Sequence, residues 1–456
     1  MRSVSLDGLG LPALASGQFR TYFVSTLTAN AGIFLFMAAF GWFIQAETGS
    51  PAMVGLGSAI LGLPWLLLML HAGMLTDRHG ARRLLALSFV GGGLMMAVVA
   101  FVALLPAPSV PFVIAVAFVT GVAMTIGAPG TISIVGELVP PAAVSSAVSL
   151  IFLLINVARI VGGVGAGLLL GDGRDPGWAI MVGAALFALP GIFIWRLRTP
   201  DPERSARGVG GRALVGPILE AGAHALRHPT LATILVLSAG PGLIGLPYNF
   251  LLPVAAVELG IGPEGLGLLF AAVGSGGLAA GLVAEPIQRR LGHGRAIFLG
   301  LGAAAGGLIV FGLGLPLPIS IAAVGFVGAG FVVYGSASLT LVQALAPRVL
   351  RGRLTSVFSL LYWGLMPVGG LLGGLSSQLF TARTTMLGAG VVLIGLGLFA
   401  ILRRRQVLTL SVSRDGLQLG GDLSGTGVAS AAFGGGLAQA IAVDPGAEPG
   451  RQGGSA

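Results

Sequence analysis

Apolar runs long enough to cross a lipid bilayer recur along this chain from Phe19 to Leu402. A helix needs about 20 residues to cross roughly 30 Å of hydrocarbon, and an isolated span must satisfy its backbone hydrogen bonds internally. Charged residues make up only 9% of the chain, whereas soluble proteins carry about 25%. The runs therefore predict an all-α membrane protein that crosses the bilayer many times.

The limits of these runs predict twelve transmembrane helices. The expected spans are 19–46, 53–76, 83–105, 110–136, 144–170, 177–197, 230–256, 264–288, 295–315, 318–345, 353–378 and 384–402. The chain is accordingly divided into a cytoplasmic N-terminus, an N-terminal six-helix bundle, a cytoplasmic linker, a C-terminal six-helix bundle and a disordered cytoplasmic tail, at 1–18, 19–198, 199–229, 230–403 and 404–456.

Arginine is concentrated in the loops on one side of the predicted spans, and the loops on the other side hold only Arg174 and Arg383. Because cytoplasmic loops carry an excess of Lys and Arg, the arginine-rich side and both termini are expected in the cytoplasm, with the chain in the inner (cell) membrane. This orientation accounts for the net charge of +9. No nucleic-acid partner is expected.

The two halves of the chain repeat. The segment ELVPPAAVSSAVSLIFLLINVARIVGGVGAGLL, from Glu137, aligns with ALAPRVLRGRLTSVFSLLYWGLMPVGGLLGGLS, from Ala344, at an offset of 207 residues. Two six-helix repeats joined by a linker place a binding cavity between the halves near the midplane, with access alternating as the halves rock.

Several kinds of chemistry are excluded by composition. The chain has no cysteine, so it forms no disulfide and no thiolate metal site, and it has no lysine, which removes the P-loop lysine and Schiff-base catalysis. An ATP-driven pump within this chain is therefore not expected. A membrane enzyme should show clustered His, Asp or Glu near one interface, and no such cluster is evident. We expect no catalytic residue, metal or cofactor.

The segment GMLTDRHGARR forms a tight turn between predicted spans 2 and 3. It resembles the major facilitator superfamily signature Gly-x-Leu-Ala-Asp-Arg-x-Gly-Arg-Arg, except that Ala81 stands where a basic residue is common. The matching positions are Gly73, Leu75, Asp77, Arg78, Gly80, Arg82 and Arg83. The resemblance implies the major facilitator fold, with two pseudo-symmetric six-helix bundles.

In that superfamily the motif carboxylate latches the two halves on the cytoplasmic side in the outward-open state. The resemblance therefore gives Asp77 a gating role, against Arg351 and Arg353 at the start of span 11, with Glu285 as its weaker counterpart in the second half. The alternative is that these charges only anchor a loop to the lipid headgroups.

Four further stretches resemble one branch of the superfamily, the exporters of drugs and siderophores that include macrolide efflux pumps and the enterobactin exporter. They are SPAMVGLGSAILGLPWLLLMLHAGMLTDR, NVARIVGGVGAGLLL, LPYNFLLPVAAVELGIGPEGLGLLFAAVGSGGLAAGL and LRGRLTSVFSLLYWGLMPVGGLLGG. The resemblance implies export of a small amphipathic organic molecule by alternating access. The alternatives are an importer of a sugar or organic acid and a transporter-like membrane sensor.

One arginine, Arg159, lies deep in span 5, where a charged side chain is costly and usually faces a cavity or a partner. It either attracts an anion into the cavity or acts as a gate there, or it binds backbone carbonyls or a glutamate such as Glu137 and only fixes packing. Polar and aromatic residues on helices that line the cavity in this superfamily complete the expected substrate site, where they bind substrate or only pack: Asn30, Asn156, Tyr248, Asn249, Tyr362 and Trp363.

Glycines in spans 5 and 11 are expected to let helices pack closely, since packing drives helix association in membranes. They are Gly162, Gly163, Gly167, Gly369 and Gly370. Those of span 5 resemble the glycine motif of antiporters, although Gly163 stands where proline is usual.

Proton coupling is implied by the resemblance alone. Ile33 stands where many members of the branch carry a carboxylate, and no other acidic residue lies deep in a predicted span. The expected partners are thus a small-molecule substrate, protons and the lipid bilayer.

Overall fold

The computed structural model describes residues 12–171, 175–199, 212–347, 349–413 and 416–419. Within these ranges twelve helices are long and apolar enough to cross a membrane, which confirms the predicted number of spans. Numbered as spans 1 to 12, they are Gly17–Thr48, Pro51–His79, Ala81–Ala103, Val110–Gly127, Val144–Gly171, Pro176–Trp195, Pro229–Glu258, Gly262–Leu291, His293–Gly312, Leu317–Leu345, Arg351–Leu379 and Ala382–Arg403.

The starts of several spans are set by capping side chains. Ser16, Ser50 and Thr381 accept hydrogen bonds from backbone N–H groups three residues ahead, and Asp175 accepts one from Gly177. Proline follows the cap at Pro51 and at Pro176, where its missing N–H costs no hydrogen bond.

Spans 4, 7 and 11 depart from regular helix. Span 4 ends at Gly127, short of the expected 136, because Pro129 has no N–H to continue the ladder. The chain goes on through the short helices Gly130–Ser133 and Val135–Leu138 and the 3₁₀ turn Pro141–Ala143, and another 3₁₀ turn, Pro12–Ala15, precedes span 1. Span 7 contains the π-helical turn Pro241–Gly245 between Pro229–Gly240 and Tyr248–Glu258. Span 11 contains Leu360–Gly364 between Arg351–Ser359 and Met366–Leu379.

The spans form two bundles of six with matching internal packing. Span 3 packs against spans 4 and 6 in the first bundle, and span 9 packs against spans 10 and 12 in the second. The bundles meet where span 5 crosses span 8 and where span 2 crosses span 11, a pair of crossings that the repeat exchanges. The pseudo-symmetric architecture predicted from the sequence is confirmed.

The repeat extends to the tight turns. Gly80 is the single residue between spans 2 and 3, and Gly292 is the single residue between spans 8 and 9. Both have a positive φ, 86° and 83°, which glycine adopts without steric cost. These turns lie on the face that carries the arginine-rich loops, called here the arginine-rich face, and the other end of the bundle is the opposite face.

Two further elements lie near the arginine-rich face. The linker helix Arg212–Arg227 packs against the first part of span 11 through a side that buries Ala221 and Ala225. The 3₁₀ turn Arg405–Thr409 leads into a hairpin of β1 (Leu410–Ser413) and β2 (Gly416–Leu419), antiparallel, with Leu410 opposite Leu419.

The hairpin is fastened to the start of span 9. The backbone N–H of Val412 donates to Nδ1 of His293 over 3.2 Å, and Val407 and Leu410 are buried. The described structure thus extends past position 404, where the sequence analysis places the start of a disordered tail, to Ser413 and again over Gly416–Leu419. The rest of that predicted tail, residues 420–456, lies outside the described residues.

Candidate functional site

Glycine faces glycine where the two bundles cross near the opposite face. A Cβ on Gly167 of span 5 would lie 3.0 Å from the Cα of Gly267 in span 8, and a Cβ on Gly374 of span 11 would lie 2.7 Å from the Cα of Gly55 in span 2. Gly167 and Gly374 are 207 residues apart, so the repeat places the same close approach at both crossings.

Other contacts also hold the bundles together at the opposite face. Ser50 Oγ, at the cap of span 2, donates to Gln378 Oε1 of span 11 over 2.8 Å. A Cβ on Gly41 of span 1 would lie 2.8 Å from Pro253 Cγ of span 7. The bundles are therefore closed against each other at the opposite face.

The bundles separate toward the arginine-rich face. At Gly364 of span 11, an added Cβ would still lie 3.4 Å from Leu66 of span 2. Two turns further along span 2, a Cβ on Gly73 would meet no atom within 4 Å, and Asp77 is exposed. This conformation is closed at one face and open at the other, as alternating access requires of each state.

Between these ends, Arg159 stands at the junction of four spans. It lies twelve residues from the end of span 5, about 18 Å at 1.5 Å per residue. Its guanidinium carbon is 4.7 Å from the ring centroid of Phe34 in span 1, a cation–π contact. The phenol groups of Tyr248 in span 7 and Tyr362 in span 11 lie nearby.

The second bundle faces this arginine with a group of packed rings, called here the aromatic cluster. Tyr362 lies at its centre, stacked between Tyr334 and Phe358 with ring centroids 5.9 and 5.5 Å away and edge-on to Trp363 at 4.9 Å. Tyr248 stacks on Phe331 at 6.2 Å.

Hydrogen bonds fix two of these rings in place. Tyr362 donates to the carbonyl of Phe331 over 2.9 Å, and Tyr334 donates to Ser238 Oγ over 3.3 Å. Tyr362 and Trp363 belong to the π-helical turn of span 11, and Tyr248 follows the π-helical turn of span 7. Such turns change which way side chains face along a helix and are frequent at functional sites.

The three asparagines expected in the cavity all donate to their own helices. Asn30, Asn156 and Asn249 bond the carbonyls of Thr26, Phe152 and Leu246 over 2.8, 3.2 and 3.0 Å. Asn249 is buried inside the second bundle, whereas Asn30 and Asn156 are half-buried. Asn30 lies one turn before Phe34, on the same side of span 1. These two amides are therefore the better placed to face a substrate.

The span 5 and span 11 glycines lie close to neighbouring helices. Gly162 lies against the backbone of span 1 and Gly369 against that of span 7, at equivalent positions of the two bundles. Gly163 lies against Phe270 of span 8, and Gly370 lies against Phe250 of span 7.

The motif between spans 2 and 3 performs a task that its pattern does not reveal. Arg82 Nη1 donates to the carbonyls of Trp195 and Leu197 over 3.1 and 2.7 Å, which satisfies the C-terminal end of span 6. Glu137 lies near Arg82 and Thr199, and not near Arg159. Burial raises the pKa of Glu137, while a hydrogen bond with Thr199 and the charge of Arg82 act to lower it.

The remaining gate candidates are exposed in this conformation. Asp77 and Arg78, like Arg351 and Arg353 across the opening, have no hydrogen bond or ion pair among the described residues. In the second half, Glu285 pairs with Arg289 one turn along its own helix. A latch between Asp77 and span 11 is thus absent from the state that is open on this side.

A separate cavity of about 550 Å³ lies within the second bundle. It is lined mostly by apolar residues of spans 7, 9, 11 and 12, including Leu243, Tyr248, Leu308, Gly369, Ser376 and Met386. Over the described ranges, no three His, Asp or Glu side chains are grouped as they are in a metal site.

Sequence reasoning missed several residues of the site. Phe34 and Phe331 are two of 23 phenylalanines, and nothing in their spacing distinguishes them from residues of the core. The π-helical turns have one weak sequence signal, since each has a glycine within it and a proline within it or three residues after it.

Comparison of the sequence with known proteins identifies a family and two kinds of relative. The sequence profile of the family described as the Major Facilitator Superfamily matches residues 22–369. The enterobactin exporter EntS of Salmonella typhi is 24% identical over 399 residues, covering 84% of this chain and 92% of that protein. The multidrug efflux pump Tap of Mycolicibacterium fortuitum is 26% identical over 391 residues, covering 83% and 93%.

Solved structures share the fold at lower identity. The nucleoside transporter NupG superposes with a TM-score of 0.69 at 13% identity, covering 85% of this chain and 98% of that one. A bacterial homologue of the human lysosomal transporter Spinster, in an inward-facing and unoccupied conformation, gives a TM-score of 0.65 at 16% identity, covering 86% and 98%.

Proposed function

Because the chain belongs to the major facilitator superfamily, and is therefore a membrane transporter, we propose that it exports a small amphipathic organic molecule such as a drug, an antibiotic or a siderophore. The observation that carries the proposal is the interbundle site, where Arg159 and Phe34 of one bundle meet the aromatic cluster of the other. A charged group beside aromatic rings suits a molecule that is itself part polar and part apolar. The relatives named EntS and Tap are an exporter and an efflux pump, which supports the direction.

The proposed mechanism is rocking of spans 1–6 against spans 7–12 about the interbundle site. In the conformation described, substrate enters from the arginine-rich face, which we assign to the cytoplasm of the inner (cell) membrane together with both termini. In the other state the glycine crossings part at the opposite face. Asp77 then approaches Arg351 and Arg353 and latches the cytoplasmic side.

We also propose that transport is coupled to protons. The group that carries the proton would differ from the one in a typical antiporter. The acidic residues of the described spans lie near their ends, as Glu47, Asp77, Glu258, Glu264 and Glu285 do. A proton exchanged during transport would have to be carried by some group other than a buried carboxylate, such as the substrate itself.

Inside-out membrane vesicles test the export proposal. They should accumulate members of a panel of antibiotics and siderophores more than vesicles lacking the protein, and Asp77→Asn should slow that accumulation while the protein still inserts. The assay is run with and without a proton gradient. Accumulation by right-side-out vesicles alone would indicate an importer and contradict export.

A further inference from the structure

Arg159 is a cation in the membrane interior without a partner of opposite charge. Its Nε–H is buried and donates to no acceptor, and among the described residues neither a carboxylate nor a backbone carbonyl binds its guanidinium group. It lies over the face of Phe34, and the phenols of Tyr248 and Tyr362 are nearby. A structural arginine at this depth would be expected to bind carbonyls or an acid, as Arg82 does at the end of span 6.

No acidic residue neutralises this charge from elsewhere in the spans. Glu47, Glu258 and Glu264 lie at the opposite face, and Glu258 is already occupied by the backbone N–H groups of Ala382 and Arg383. Asp77 lies at the arginine-rich face, eleven residues or about 16 Å of helix beyond Leu66, where span 2 still approaches span 11. The interior between the bundles therefore has a positive potential.

The repeat shows that this charge is specific to one bundle. The position equivalent to Arg159 in span 11 is Met366, and the position equivalent to Asn156 is Trp363. One side of the site thus offers a planar guanidinium group with free donors, and the other offers the exposed ring of Trp363, which packs edge-on against the buried Tyr362. Guanidinium binds carboxylates and other oxyanions through paired donors, and rings stack on aromatic faces.

We propose that the substrate is an organic anion that carries an aromatic ring, bound with its negative group on Arg159 and its ring against Trp363, the exposed member of the aromatic cluster. This inference rests on the proposed export function. It also supplies a driving force, since an anion leaving a negative-inside cell moves down the membrane potential. At 100 mV each negative charge supports a concentration ratio of about fiftyfold.

The test uses two dyes that share the xanthene ring system and differ in charge, carboxyfluorescein (anionic) and rhodamine 123 (cationic). Purified protein is placed in proteoliposomes, and potassium gradients with valinomycin set the potential without a proton gradient. We expect carboxyfluorescein uptake to be about tenfold faster into inside-positive than into inside-negative vesicles, and rhodamine 123 to be carried poorly.

Three variants identify the residue responsible. Arg159→Met, which installs the residue of the equivalent position, should lower carboxyfluorescein transport at least about tenfold, as expected from loss of a buried charged contact. Arg159→Lys should restore part of it, because the charge returns without the paired donors. Arg290→Met, at an exposed site on the arginine-rich face, should transport like the wild type.

The outcomes separate this inference from the export proposal. Transport of rhodamine 123 in preference to carboxyfluorescein would overturn the anion class and leave export standing, and so would an Arg159→Met variant that carries carboxyfluorescein at the wild-type rate. Transport of neither dye would count against both. Uptake that ignores the potential and needs a proton gradient would overturn the electrical driving force.

Discussion

At the residue scale, Arg82 illustrates how a motif residue acquires its task from the fold. The motif suggested a gate or an anchor to headgroups, whereas the side chain binds two carbonyls at the end of span 6. The carbonyl of Trp195 has no partner within its own helix, because the last turn of a helix leaves its C=O groups unpaired, and Leu197 follows just after that helix. Arg82 thus ties the motif turn to the point where the first bundle ends.

Replacing Arg82 by alanine should lower the stability of the first bundle. Two hydrogen bonds from a charged donor are lost, and because the side chain is half-exposed we expect about 1–2 kcal/mol. Thermal unfolding in detergent measures this as a fall in melting temperature. Arg78→Ala is the matched control, since Arg78 is exposed and unpaired among the described residues; equal melting of the two variants would contradict the assigned role.

At the element scale, the two glycine crossings are the feature that holds this conformation closed at the opposite face. Spans 5 and 8 approach through Gly167 and Gly267, and spans 11 and 2 approach through Gly374 and Gly55. Close backbone approach is the usual way in which transmembrane helices gain packing energy. A methyl group at these positions therefore acts directly on the balance between the two states.

Gly167→Ala should shift the protein away from the conformation closed at the opposite face. The added methyl would lie 3.0 Å from the Cα of Gly267, where backbone cannot move aside as a side chain does. Overpacking of this kind costs about 1–3 kcal/mol. Because the chain has no cysteine, a single cysteine placed at Asn156 reports the shift as faster modification from the opposite face.

Gly165→Ala is the control for that experiment. It lies on the same span, and its added methyl would meet only the end of the Leu35 side chain, at 3.4 Å. We expect Gly374→Ala to act like Gly167→Ala, since the repeat relates the two positions. A similar effect of the substitution at 165 would show that the crossing is not responsible.

Much of the architecture could be predicted at this scale, and the arrangement of the site could not. The lengths of the apolar runs predict the spans, and the offset between Glu137 and Ala344 predicts the pairing of bundles. The aromatic cluster depends instead on the π-helical turns in spans 7 and 11, which rotate Tyr248 and Tyr362 relative to a regular helix. Hydrophobic patterning does not report that rotation.

Irregular segments account for the other differences. The end of span 4 depends on one proline, and the hairpin after span 12 is held by contacts with span 9 that its own polar, glycine-containing sequence does not suggest. Long-range contacts of this kind are absent from local sequence patterns.

At the scale of the whole molecule, the hairpin packs the segment that follows span 12 against the second bundle. Truncation after Arg404 removes the hairpin, whereas truncation after Leu419 keeps it. The first truncation should melt at a lower temperature than the second, because burial of Val407 and Leu410 contributes about 1.5–3 kcal/mol per side chain. Identical melting temperatures would show that the hairpin adds nothing to stability.

Our central claim concerns the whole molecule: two pseudo-symmetric bundles expose one interbundle site to a single face of the membrane at a time. Sealing at the opposite face and separation at the arginine-rich face are the two observations behind it. From the arginine distribution we propose that the open face is toward the cytoplasm.

The most direct test of that claim is modification of a single cysteine at Asn30 by a membrane-impermeant maleimide, in right-side-out and inside-out vesicles. At rest the cysteine should react from the arginine-rich face alone, and during transport of a carried dye it should also become reactive from the opposite face. Glu47→Cys, exposed at the opposite face, should react there in every condition. Reaction of the cysteine at position 30 from both faces at rest, or from neither face in any condition, would contradict alternating access.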